Sequence, residues 1–143
     1  MKILNLIMKQ KYFDEILSGK KTEEYREIRP TTFRKYCNYL VGDKEYARLE
    51  DCPEFNEEVE DGNEDSLTYE AVPKHFDALR LYVGYNKDRD SMLVEVKDYY
   101  ILYYTDENDE NISYTTPDGQ TYLMCDMVYV LGKILEKDIH PKD

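Results

Sequence analysis

The chain opens on a short apolar run. Ile3, Leu4, Leu6, Ile7 and Met8, interrupted only by Asn5, predict a buried strand over residues 3–8, because a run this short and β-rich fits a strand better than a helix. The period then changes: Tyr12, Phe13, Ile16 and Leu17 recur at helical spacing while Asp14 and Glu15 face away. Residues 11–17 therefore predict an amphipathic helix, stopped by Ser18-Gly19. Residues 21–27 predict a second strand, with Pro30 limiting any helical continuation. Thr31 or Thr32 can cap a short helix through residue 36, and residues 38–42 predict a strand that ends in a turn at Gly42.

Over residues 50–70 the pattern lapses. The segment has few large apolar side chains and no positive charge, so it cannot bury enough surface to offset the entropy of ordering; it predicts a mobile acidic insertion. Alternation returns with Leu79, Leu81 and Val83, then with Met92, Val94 and Val96. These predict an antiparallel pair over residues 77–85 and 91–99, joined by the polar stretch 84–90. Residues 100–105 predict that the strand continues, with or without a bend, and residues 111–114 and 121–124 flank a turn at Pro117-Asp118-Gly119. A closing strand is predicted over residues 127–135, with Gly132 as a bulge or close approach, followed by a tail. Many short strands with one or two short helices predict an α+β fold, a mixed, mainly antiparallel sheet curled into a small β-barrel. A chain of 143 residues predicts a single domain over residues 1–143.

Charge narrows the choice of partner. Nineteen basic against thirty-one acidic residues give −12, which argues against non-specific DNA binding. The balance is uneven: residues 1–48 carry a surplus of four positive charges, whereas residues 49–72 carry ten acids and no base. An anionic ligand is therefore expected in the N-terminal third, around Lys20, Lys21, Arg26, Arg29, Arg34 and Lys35. No apolar run approaches the roughly 18 residues of a spanning helix, so no membrane role is expected. The opening run is followed by Lys9 and Lys11 without a cleavage site, and does not read as a secretory signal. Cys37, Cys52 and Cys125 are odd in number and widely spaced, which fits reduced thiols in a cytoplasm; His75 and His140 read as surface residues. Neither a metal nor a cofactor is expected.

The segment after the first helix carries the candidate chemistry. Gly19 permits the left-handed turn out of the helix, and Arg26 offers a planar fork suited to phosphate or a base edge. Glu24 and Arg26 share a strand face, while strict alternation sets Lys21 on the other, so a common cleft requires a twist or bulge near Lys21. By spacing alone such a cluster reads as a solvated salt-bridge network. The order Gly19, Lys21, Glu24, Arg26, placed after a strand and an amphipathic helix, resembles the Gly-x-Lys-x-x-Glu-x-Arg signature of the ASCH domain family. The later strand order, the Gly84-Tyr85 loop and the Leu131-Gly132-Lys133-Ile134 strand extend that resemblance over nearly the whole chain, the acidic stretch excepted.

The resemblance implies a PUA-like barrel with an RNA-related role, in which Lys20, Arg26, Tyr25 and Tyr85 contact single-stranded RNA or a modified nucleobase. It also implies an alternative, since small relatives are amidohydrolases acting on N4-acetylcytidine, with a lysine matching Lys21 that activates a threonine three residues on. Here that position is Glu24, so Lys21 and Glu24 are the candidate catalytic pair, with Glu24 as a base toward water. Glu95 is a further candidate, although it reads first as a surface strand residue. The fifteen tyrosines read mainly as core and rim, with Tyr99, Tyr100, Tyr103 and Tyr104 as ordinary strand residues. A third reading is a non-enzymatic interaction domain that works through the acidic segment 50–70.

Overall fold

The computed structural model describes residues 1–54 and 68–142, so most of the acidic insertion expected at residues 50–70 lies outside the described residues. The chain divides into two compact units. The first comprises residues 1–26, 75–100 and 128–143, and the second residues 27–74 and 101–127.

The first unit begins with β1 (Ile3–Met8), where Leu4, Leu6 and Met8 are buried at a period of two. Helix α1 (Gln10–Leu17) follows, burying Phe13 and Ile16 and exposing Asp14. Phe13 has no exposed surface, so its truncation to Ala is worth about 3–5 kcal/mol. Strand β1 pairs in parallel with β6 (Ala78–Val83), Leu4 opposite Leu79 and Leu6 opposite Leu81. β6 pairs antiparallel with β7 (Ser91–Tyr103), Leu79 opposite Val94 and Leu81 opposite Met92. The turn between them uses Gly84 at φ +63°, and Arg89 caps it by donating to the Gly84 carbonyl at 2.9 Å while lying over the Tyr82 ring. With β10 (Cys125–Asp138) and β2 (Glu23–Ile28), these strands form one sheet in the order β1-β6-β7-β10-β2. Val128, Tyr129 and Leu131 of β10 complete the buried core.

The second unit holds a short helix α2 (Phe33–Tyr36) and a sheet with β3 (Cys37–Val41) between β4 (Lys44–Tyr46) and β5 (Glu70–Pro73). It also holds a hairpin of β8 (Ser113–Thr115) and β9 (Thr121–Leu123), turned at Gly119 with φ +86°.

The expected elements at residues 3–8, 11–17 and 91–99 form where the periodicity puts them. Among the described residues, no sheet closes into a barrel. The sheets are linear rather than cyclic: the five-stranded sheet ends at β1 and β2, and the three- and two-stranded sheets stand separate. Closure requires the two edge strands to hydrogen-bond with a fixed stagger. Edge strand β2 instead carries Glu23, Glu24, Arg26 and Glu27 in six residues, the charged composition by which open edges resist further pairing. The mixed α+β content with antiparallel sheets stands, and the β-barrel is corrected to open sheets.

Two further boundaries moved. β7 continues past residue 99 as expected, unbroken, but ends at Tyr103 rather than residue 105, and β10 extends to Asp138 rather than ending at residue 135. Gly132 lies within β10 as a close approach: a Cβ there would collide with the Glu95 carboxylate and sit 2.8 Å from Lys97 Cγ.

Candidate functional site

The Gly19 turn and the start of β2 bring three charged side chains into contact. Ser18 N–H bonds to Asp14 O at 3.0 Å and Gly19 N–H to Ile16 O at 3.1 Å, with Gly19 at φ +82°. The helix thus closes in the left-handed manner only glycine adopts freely. Lys21 N–H then reaches back to Glu15 O at 3.0 Å. This fold-back holds Lys21 at the helix end, outside the pleat of β2, so strand alternation does not govern its side chain. Its Nζ lies 2.8 Å from Glu24 Oε1 and 4.8 Å over the Tyr12 ring. The twist needed for Lys21 and Glu24 to meet is supplied by the helix cap.

Glu24 points inward from β2 and is 4% exposed. Arg26, two residues on along the same face, donates to Glu24 Oε2 from Nη2 at 2.8 Å and from Nε at 3.1 Å, and from Nη2 to the Ile7 carbonyl at 3.0 Å. Both carboxylate oxygens therefore accept hydrogen bonds from cations. Three charges in contact sum to +1, and the Lys21 and Arg26 side chains each keep 23% of their surface exposed. A carboxylate buried under two cations is an anchor, costly to remove because either cation left alone has lost its partner. It is poorly placed to take a proton from water, because a general base needs a lone pair directed at its substrate.

Beside this knot the surface dips into a hollow of about 300 Å³, lined by Ser18, Gly19, Lys21 and Thr22 on one side and Val94, Leu131 and Gly132 on the other. Of the three charged residues only Lys21 lines it.

The remaining predicted contacts do not join the knot. Tyr25 turns to the opposite face of β2, 46% exposed, with its hydroxyl 3.4 Å from the Glu23 carboxylate that also accepts from Tyr100. Tyr85 stands 84% exposed on the β6–β7 turn, and Lys20 is exposed on the Gly19 turn. Glu95 lies against Gly132, its Oε1 3.4 Å from Lys133 N–H. Two further members of the basic surplus have acidic partners, Arg29 with Glu27 and Arg34 with Glu50.

The thiols are free and buried. Burial, reinforced by neighbouring Cys125, pushes the Cys37 thiol up to about 12, and burial raises Cys125 as well. Neither is a thiolate at neutral pH. Among the described residues, no three His, Cys, Asp or Glu side chains converge as metal ligands, and no helix is long and apolar enough to cross a membrane.

Sequence reasoning missed a second hollow, in the second unit. It measures about 360 Å³ and is walled by Tyr39, Tyr69, Tyr103, Tyr114 and Tyr122 with Phe33 and Arg29. Tyr114 and Tyr122 face each other across the β8–β9 register, rings 5.9 Å apart. Tyr39 packs on Phe33 at 4.5 Å and edge-on to Tyr69 at 4.9 Å. Burial pushes the Tyr69, Tyr103 and Tyr114 hydroxyls up, and the Arg29 guanidinium, 4.7 Å over the Tyr114 ring, draws Tyr114 back. The legible signal was the pair of tyrosines placed symmetrically about Pro117-Asp118-Gly119; the rest of the wall is tertiary.

No family model matches this chain, and no curated protein or solved structure matches it either. The resemblance to ASCH domains rests on the residues named above.

Proposed function

We propose that the protein is a binding module for single-stranded RNA or a modified nucleobase, with Lys21 and Arg26 as the receiving cations and Glu24 as the anchor that positions them. The observation that carries this reading is the charge of the knot. Two partly exposed cations share one buried carboxylate, leaving a positive charge on a chain of net −12. Phosphate oxygens and base carbonyls are the acceptors such donors bind best, Arg26 through its planar fork and Lys21 as a point charge. The reading keeps the ASCH resemblance as part of the proposal, carried by Gly19, Lys21, Glu24 and Arg26, without the barrel. It also assigns the protein to the cytoplasm, supported by its three free thiols. Hydrolysis of an acylated cytidine is the weaker reading, because Glu24 is engaged on both oxygens.

Anisotropy titration of a labelled short single-stranded RNA at low salt checks the proposal. Lys21→Ala and Arg26→Ala are each expected to weaken binding about tenfold, the loss of one charge-assisted hydrogen bond. Undetectable binding by the parent, or equal binding by all three proteins, overturns it.

A further inference from the structure

The tyrosine-walled hollow of the second unit has the features of a ligand site rather than of core packing. Core tyrosines are covered, yet Tyr69 is 47% and Tyr103 40% exposed, and Leu123 beside them is 43% exposed. Large apolar side chains left open around a concavity mark a binding surface more often than a packing defect. The walls are held in place before any ligand arrives: Tyr39 sits on the central strand β3, and Tyr114 and Tyr122 are locked by the β8–β9 register. Among the described residues, Arg29 is the only charged one in the lining. Its Nε is taken by the exposed Glu27 carboxylate, and its terminal amino groups make no hydrogen bond among the described residues while the guanidinium stacks on Tyr114.

We propose that this hollow binds a small planar aromatic anion, with its ring against the tyrosine faces and its acidic group on the Arg29 terminal nitrogens. Flat walls select a flat ligand, since offset or edge-to-face ring contacts are the favourable ones. Among the described residues the lining holds one cation and no acid, and because Glu27 engages only the Arg29 Nε, the terminal nitrogens select a negative charge. A volume near the lower end of the ~300–1,000 Å³ typical of ligand pockets limits the ligand to one or two rings. The site shares no residue with the Lys21 knot and does not rest on the RNA-binding proposal. Two sources supply this chemistry, an aryl acid or a mononucleotide.

Calorimetric titration of the full-length protein with 2-naphthoate, neutral 2-naphthamide and adenosine monophosphate tests the site. Tyrosine emission serves as a second readout, since the chain has no tryptophan. Saturable binding of at least one anion is expected; preference for naphthoate identifies the aryl-acid source, and preference for the nucleotide identifies the other. Arg29→Gln should weaken the bound anion about tenfold and leave the neutral amide nearly unchanged, as the loss of a charged hydrogen bond requires. Tyr122→Leu should weaken both classes, and Lys21→Ala neither. Circular dichroism of each variant guards against misfolding. The absence of saturable binding by either anion, or anion affinity indifferent to both Arg29→Gln and Tyr122→Leu, overturns the proposal.

Discussion

Two carboxylates are buried among the described residues, Glu24 at 4% exposure and Asp90 at 3%, and they meet the same demand by opposite routes. Glu24 is satisfied by Lys21 and Arg26, three and two residues away. Asp90 is satisfied from across the first unit: Gln10 Nε2 at 3.0 Å, the His140 backbone N–H at 2.8 Å and Lys142 Nζ at 2.6 Å. The first makes a compact charged knot at the surface, with cations partly free for a ligand. The second ties the C-terminal tail to the start of β7 and spends its donors on architecture. A buried charge is therefore not by itself a functional signal; what distinguishes Glu24 is that it holds two cations, which together exceed it in charge, whereas Asp90 holds one.

Removing each carboxylate sharpens the contrast. Glu24→Ala should destabilise the protein most, by about 3–5 kcal/mol, because two cations are then left without their shared partner. Urea unfolding measures it, and a loss below about 1 kcal/mol would reduce the knot to an ordinary surface pair. Asp90→Asn should cost less, about 2 kcal/mol, since the amide keeps one acceptor for the His140 N–H.

The Asp90 effect should also depend on pH. Burial alone would raise its carboxyl, but hydrogen bonds from His140, Lys142 and Gln10 together hold it at about 2, below its ordinary 3.8. A carboxyl with a depressed folded-state value stabilises fully above its unfolded value and loses that contribution as pH falls through the folded one. The gap between parent and Asp90→Asn should accordingly be full above about pH 4 and close toward about pH 2. A gap constant over that range would contradict the assignment. The smallest effect is expected from Lys142→Ala, under about 1 kcal/mol, because the lysine is 54% exposed.

Legibility in the sequence follows the same division between local and distant partners. The Lys21 knot was readable because its residues span six positions and its geometry is set by one helix cap. Strands β1 and β7 and helix α1 were readable because a buried face imposes its period on the side chains. β4 and β5 were not, since Lys44–Tyr46 and Glu70–Pro73 are polar or end in proline and owe their strand character to pairing with β3, Tyr39 opposite both Tyr46 and Ala71. The barrel failed for a related reason: alternation fixes which face of a strand is buried but says nothing about whether the outermost strands find each other. Tyr103, read as an ordinary strand residue, gains its place in the aromatic hollow only through segments distant in the sequence.

The central claim is that Lys21 and Arg26 meet a polyanion directly, and salt dependence tests it without reliance on absolute affinity. Each phosphate contact on a single strand contributes about 0.7 to the slope of log affinity against log salt. Between about 50 and 200 mM salt, the Lys21→Ala/Arg26→Ala double variant should bind single-stranded RNA with a slope shallower than the parent's by about 1.4. Parallel lines for the two proteins would contradict the account, whatever their affinities.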